Sequence, residues 1–171
     1  MSAKATLGIT REFFDDDGNL TMPGPGLKLL DDLPGLEYRV FDEWIREIPP
    51  EHVHGCDMVI SGSARWTAPA LEGNEQLISL LYTGVGYDHI DVEALTANGT
   101  LFCFAPDALR RPMACTVMTF ILALAMRLMA KDRITRQGRW AEQSEYRGEG
   151  LTGKTLGGIG VGNIGREVFL L

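Results

Sequence analysis

Hydrophobic residues over the first two thirds of the chain gather in short runs. Each run is closed by Gly, Pro or Asp and followed by a stretch of helical spacing. The runs predict strands at residues 5–10 (ATLGIT), 36–41 (LEYRVF), 57–61 (DMVIS), 76–84 (QLISLLYTG) and 100–106 (TLFCFAP). Leu27, Leu29, Leu30 and Leu33 predict a helix over GLKLLDDL. Pro49 and Pro50 open a short helical stretch, and TAPALEG forms another with Thr67 as its N-cap. DVEALTANG is a further helix, with Gly99 just beyond its end. A long helix is expected over residues 112–136, then a polar loop, then a last strand, KTLGGIG. FFDDDGNL, with its Asp run and Gly18, is a loop or small excursion to which no function attaches.

Strand and helix alternating at short intervals predict an α/β fold, a parallel sheet covered by helices on both faces. There is no internal repeat. The composition shifts around residues 105–112, which sets a boundary between a first domain, residues 1–106, and a second unit, residues 107–171.

Composition narrows the function classes. The 171 residues carry a net charge of -7. That argues against nucleic acid as a partner, because phosphate backbones need clustered Lys and Arg. Cys56, Cys103 and Cys115 fit neither a CxxC pair nor a zinc pattern, and read as buried thiols in a reducing, cytoplasmic setting. The first ten residues contain no long apolar run, so no secretory signal is expected. The run MACTVMTFILALAMRLMA, residues 113–130, approaches a bilayer span in length. Arg127 lies inside it and RRP precedes it, so it reads as a buried or subunit-interface helix, not a membrane span.

Three stretches carry candidate chemistry. The first is Gly160-Val161-Gly162-Asn163-Ile164-Gly165, a GxGxxG turn between a strand candidate and a helix candidate. Gly160 permits the tight turn, Gly162 lets backbone approach a pyrophosphate, and Gly165 lets the helix pack close. Amides at the helix N-terminus then face the phosphates. The acidic ribose partner of a full fingerprint falls about 20 residues further on, past Leu171, so the sequence is expected to be a fragment of a longer protein.

The second stretch is YTGVGYDHID, at the carboxyl end of a predicted strand, the edge where open α/β sheets take ligands. Two readings are open for it. Gly84 and Gly86 expose consecutive amides as an anion nest, or the segment is a tight turn with Asp88 capping the next helix. The third stretch, APDALRRPMAC, sets Arg110 and Arg111 beside the sheet edge, with solvated surface charge as the commoner fate. His52 and His54 lack a companion ligand cluster and predict no metal site. His89, in the glycine turn, faces a substrate or, as the commoner role, makes local hydrogen bonds.

Taken in order, GVG-x-D-x-I-D, A-P, a long apolar helix, G-x-W, L-x-G-K-T-L-G and GxGxxG resemble the NAD-dependent D-isomer-specific 2-hydroxyacid dehydrogenases. That family includes phosphoglycerate dehydrogenase and glyoxylate/hydroxypyruvate reductase. The resemblance runs from about residue 57 to the end; the first 56 residues carry no motif. It implies a flavodoxin-like substrate domain over residues 1–106, lacking its C-terminal helix. The start of a Rossmann NAD-binding domain follows over residues 107–171. It also implies a small 2-hydroxy or 2-keto acid substrate, with NAD or NADP as cofactor. The substrate carboxylate would be held by the amides of Val85 and Gly86, and the cofactor by Gly160, Gly162, Asn163, Ile164 and Gly165. A homodimer would form through the helix at 113–130. The family's catalytic Arg, Glu and His have no counterpart in these residues, so no catalytic residue is assigned and the 171 residues alone are expected to be inactive. The alternative is a non-catalytic binding or dimerisation module derived from the family. Three departures stand out: Cys115 where many relatives carry Glu or His, Asn163 where many carry a basic residue, and Gly158 in place of a β-branched residue.

Overall fold

The computed structural model describes residues 4–21 and 26–171. The first three residues of the segment scanned for a leader lie outside them. Five strands form one parallel sheet: β1 Ala5–Ile9, β2 Leu36–Val40, β3 Met58–Ser61, β4 Ser79–Tyr82 and β5 Leu101–Cys103, in the order β2-β1-β3-β4-β5. This is the flavodoxin-like α/β order, in which the chain crosses back over β1 to lay down β3. Among the described residues the helices are α1 Gly26–Asp31, α2 Pro50–Val53 and α3 Val92–Asn98, in the stretch that carries the sheet, and α4 Arg110–Ala125, α5 Leu128–Arg136 and α6 Asn163–Leu170, which follow it in the chain. The chain divides into two compact units, Met1–Pro106 and Asp107–Leu171.

The core belongs to the first unit. Val59 and Leu80 from adjacent strands meet Phe41, Val53, Trp66, Leu77 and Leu95 in one buried cluster. Two polar anchors sit within it. Trp66 Nε1 donates to Ser61 Oγ at 2.9 Å, and the Asn74 amide donates to the carbonyls of Pro50 and Ala70. Both follow from the cost of leaving a buried donor unpaired.

Caps set the ends of α3. The Asp91 carboxylate accepts from Ala94 N at 2.9 Å, and Gly99 takes the left-handed conformation at φ 77° expected of a residue past a helix end. Asp91, not Asp88, is therefore the cap. Thr67 stands before a 3-10 turn, Ala68–Leu71, but does not cap it; its hydroxyl donates to Glu47 Oε1.

Three expectations change in the second unit. The long helix is two helices bent by 61°. At the break Arg127 adopts φ 51°, and the Ala125 carbonyl, which would otherwise continue the helix, accepts from Glu149 N at 2.8 Å. Gly148 passes so close that a β-carbon there would lie 2.5 Å from Met126 Cα, which requires glycine at that crossing. KTLGGIG is not a strand: residues 151–162 are irregular and exposed. An extended segment holds as a strand only beside hydrogen-bonding neighbours, and glycine weakens it further. The apolar run is not buried either. Phe120 is 62% exposed, Leu124 79% and Met129 76%, while Ala114 is the one buried residue of α4. No single helix among the described residues is long and apolar enough to cross a membrane.

The cysteines also divide. Cys56 is buried, Cys103 partly so and Cys115 exposed, and all three are free. Burial pushes the Cys56 thiol up, against the opposing pull of the Arg39 guanidinium, whose NH2 nitrogen lies 3.3 Å from its sulfur. A raised folded-state pKa keeps the thiol neutral in mildly alkaline solution. Its contribution to stability is then complete below the unfolded thiol's pKa and fades above it. At about pH 8, Ellman's reagent is expected to label Cys115 rapidly and Cys56 only after denaturant is added, read by mass spectrometry of the labelled peptides.

Candidate functional site

The glycine turn after β4 stands at the carboxyl edge of the sheet. Tyr82, the last residue of β4, turns its hydroxyl back to donate to the Gly86 carbonyl at 2.9 Å. Ala105 N donates to the Gly84 carbonyl at 3.0 Å. A β-carbon at Gly84 would fall 2.2 Å from the Tyr82 hydroxyl oxygen, so this closure requires glycine. The carbonyls of the loop are thus tied inward. Val85 and Gly86 are exposed, and among the described residues neither amide has an acceptor. Two successive free N–H groups at a sheet edge are a concavity for an oxyanion.

The neighbouring loop after β3 is arranged differently. The amides of Gly62 and Ser63 both donate to Glu12 Oε1, at 3.1 and 2.8 Å. Glu12 lies in a 3-10 turn, Arg11–Phe13, that leaves β1. A β-carbon at Gly62 would meet that carboxylate at 2.9 Å. An internal carboxylate thus fills the second amide pair of the edge. Sequence reasoning missed Glu12, because its contact spans 50 residues of chain and leaves no local mark.

A pocket of about 380 Å³ opens beside these loops, lined by Arg46, Ser63, Arg65, Asp88 and His89. His89 does not satisfy its ring locally. Its carbonyl accepts from Trp66 N, its ring meets Tyr82 edge-on at 5.1 Å, and Nε2 is buried without a partner among the described residues.

The GxGxxG turn lies in the second unit. Gly160 takes φ 81°, a conformation that favours glycine. Gly162 precedes α6 in extended conformation, and a β-carbon there would meet nothing within 4 Å. A β-carbon at Gly165 would lie 2.9 Å from the Gly160 carbonyl oxygen, which is the close approach assigned to the third glycine. Asn163 and Ile164 form the exposed first turn of α6, whose N–H groups lack intrahelical acceptors. Gly160 thus shows a positive φ, Gly162 an open approach and Gly165 a close contact, without the strand expected before them. Arg110 and Arg111 are held by ion pairs, to Asp107 at 2.8 Å and Glu167 at 3.0 Å. No group of three or more His, Cys, Asp or Glu able to hold a metal ion occurs among the described residues.

The flavodoxin-ordered parallel sheet with two exposed amides at its carboxyl edge makes this an α/β protein of the open-sheet class, whose ligands are taken at that edge. Comparison with known proteins narrows the class. Residues 19–149 match the family "D-isomer specific 2-hydroxyacid dehydrogenase, catalytic domain", and the chain belongs to that family. It is 33% identical over 127 residues to hydroxypyruvate reductase of Thermotoga maritima, covering 74% of this chain and 40% of that one. Among solved structures it resembles the TT0316 protein of Thermus thermophilus at 27% identity and TM-score 0.78, covering 96% of this chain and 51% of that one. It shares the fold of a D-lactate dehydrogenase from Aquifex aeolicus complexed with NAD and lactic acid, at 21% identity and TM-score 0.73, covering 96% of this chain and 47% of that one. The chain spans less than half the length of the curated relatives it matches, between 21% and 47%.

Proposed function

We propose that the protein is an NAD- or NADP-dependent oxidoreductase acting on a small 2-hydroxy or 2-keto acid. The observation that carries the reading is the pair of free amides at Val85 and Gly86, set at the edge where such folds take ligands. They accept a carboxylate without a cation, which suits an acidic chain. The residues at 160–165 fit a dinucleotide: Gly162 leaves open space, and the first amides of α6 face outward as phosphate donors. When bound, the nicotinamide supplies or takes the hydride at C2. This chain's own residues hold the acid by its carboxylate and the cofactor by its pyrophosphate.

In this reading residues 1–106 are the substrate domain and residues 107–171 open the cofactor domain, in a cytoplasmic enzyme. No residue here matches the family's acid-base Arg, Glu or His, so the 171 residues bind without turnover. Clear oxidation of NADH with glyoxylate by the short chain would refute that. Val85→Pro removes one of the two amides without adding charge. A charge-assisted hydrogen bond is worth about 1.5–3 kcal/mol, so glyoxylate affinity measured by calorimetry should fall about tenfold or more with the circular dichroism unchanged. An unaltered affinity would sink the assignment.

The bare apolar side chains of α4 and α5 favour a second reading, a pairing module that works by dimerisation through residues 113–130. Light scattering separates the two: a chain that stays monomeric at high concentration is not a pairing module.

A further inference from the structure

We propose that the pocket between α5 and the 3-10 turn Trp140–Glu142 binds a phosphate monoester carried on a planar ring, a ligand of nucleoside monophosphate size. Lys131 and Arg147 meet the phosphate, and Trp140 meets the ring. None of the residues lining this pocket belongs to the GxGxxG turn, and the proposal does not depend on the acid-binding reading of Val85 and Gly86.

The frame is built locally. Lys131, Ile134 and Thr135 stand at i, i+3 and i+4 on α5, so they share one face of the helix, and all three line the pocket. Gly138, at φ 68°, ends the helix. Its N–H donates to the Thr135 carbonyl at 3.1 Å, and Arg139 N donates to the Ile134 carbonyl at 2.9 Å. This paired closure reverses the chain past the helix end, so that Trp140 reaches the same pocket as Lys131. Gly148, which crosses Met126 too closely for a β-carbon, pins the far end of the segment beside Arg147.

Charge is left over inside this frame. Residues 107–171 hold ten basic and six acidic side chains. Five of the six carboxylates are paired, among them Asp132 with Arg136 and Glu142 with Arg139. The sixth, Glu145, does not line the pocket. Lys131 and Arg147 therefore face the pocket with no carboxylate in its lining. Among the described residues neither side chain has a hydrogen-bond or ion-pair partner, and neither do the side chains of Thr135, Gln143 and Ser144, which also line it. Two cations suit a phosphate monoester, which carries about -1.5 to -2 charges at pH 7. The guanidinium of Arg147 matches two phosphate oxygens, and the hydroxyl and amide groups donate to the rest.

Size and the aromatic wall select what the phosphate is attached to. A volume of about 670 Å³ is far more than a bare phosphate fills and falls in the range that holds small organic ligands. Trp140 is 62% exposed, so its indole is open to a stacking partner. A planar ring stacks on such a face with little demand on its substituents.

The test is titration of the 171-residue chain with adenosine monophosphate, adenosine and inorganic phosphate. Affinity is read by calorimetry and location by NMR shifts at the Trp140 indole N–H and at the Asn163 and Ile164 amides. Adenosine monophosphate should shift the Trp140 signal and bind about tenfold or more tightly than either of the other two. K131Q/R147Q should weaken it about tenfold or more, with the circular dichroism unchanged. Trp140→Ala should weaken it about fivefold or more and leave inorganic phosphate unaffected. Shifts confined to Asn163 and Ile164 would put the nucleotide on the glycine turn and overturn the proposal. Adenosine binding as tightly as its monophosphate, a Trp140 shift that survives K131Q/R147Q, or no shift with any of the three would overturn it as well.

Discussion

Trp66→Ala is expected to cost about 3–5 kcal/mol. Trp66 is 1% exposed and packs in the cluster formed with Val59, Leu77 and Leu80. Its removal leaves a cavity the surrounding strands cannot close, because they are fixed by their ladder. It also takes the Nε1 donor from Ser61 Oγ, which is fully buried. Set against a typical domain stability of about 5–15 kcal/mol, the loss leaves the variant marginal at room temperature. Urea denaturation followed by far-UV circular dichroism measures it. Trp66→Phe separates the two causes: it retains most of the volume and loses only the hydrogen bond, at about 1–3 kcal/mol. A Trp66→Ala midpoint equal to that of the parent would show that the cluster is not the core.

Gly8→Val should be nearly as damaging, for the opposite reason. Gly8 lies in β1, flanked by β2 and β3. A β-carbon there would fall 2.8 Å from Phe41 Cε1 and 2.9 Å from Cys56 Sγ. Both neighbours are buried, so neither side chain can swing into solvent. Overpacking a closed site costs about 1–3 kcal/mol, and valine adds two further carbons at the same place, so about 3 kcal/mol is expected. Gly157→Val is the control. Nothing lies within 4 Å of a β-carbon at Gly157, and a change within about 0.5 kcal/mol is expected. Equal effects at the two positions would refute the close approach at Gly8.

The backbone geometry of the candidate site was partly legible because its signals are local. Glycines at 84, 86, 160, 162 and 165 answer to backbone demands within a few residues, and the structure gives several of them the demanded geometry: closure at Gly84, positive φ at Gly160 and close contact at Gly165. Arg46, Arg65 and Glu12 were not legible. Their roles depend on which loops a parallel sheet brings side by side, and Glu12 reaches across 50 residues to its amides.

The sequence by itself determined the α/β class, all five strands of the first unit, the cap at Gly99 and the family, because strand runs and turn residues act through short-range sterics and hydrogen bonding. Tertiary structure decided the rest. It bent the apolar helix where Glu149 captures the Ala125 carbonyl, and it left KTLGGIG without a strand partner. It bared Phe120 and Leu124 and brought Arg46 and Arg65 to one pocket with Asp88 and His89. Each of these turns on what lies across a gap in space. A hydrophobic pattern states what a segment prefers to bury, and only the neighbours it meets decide whether it does.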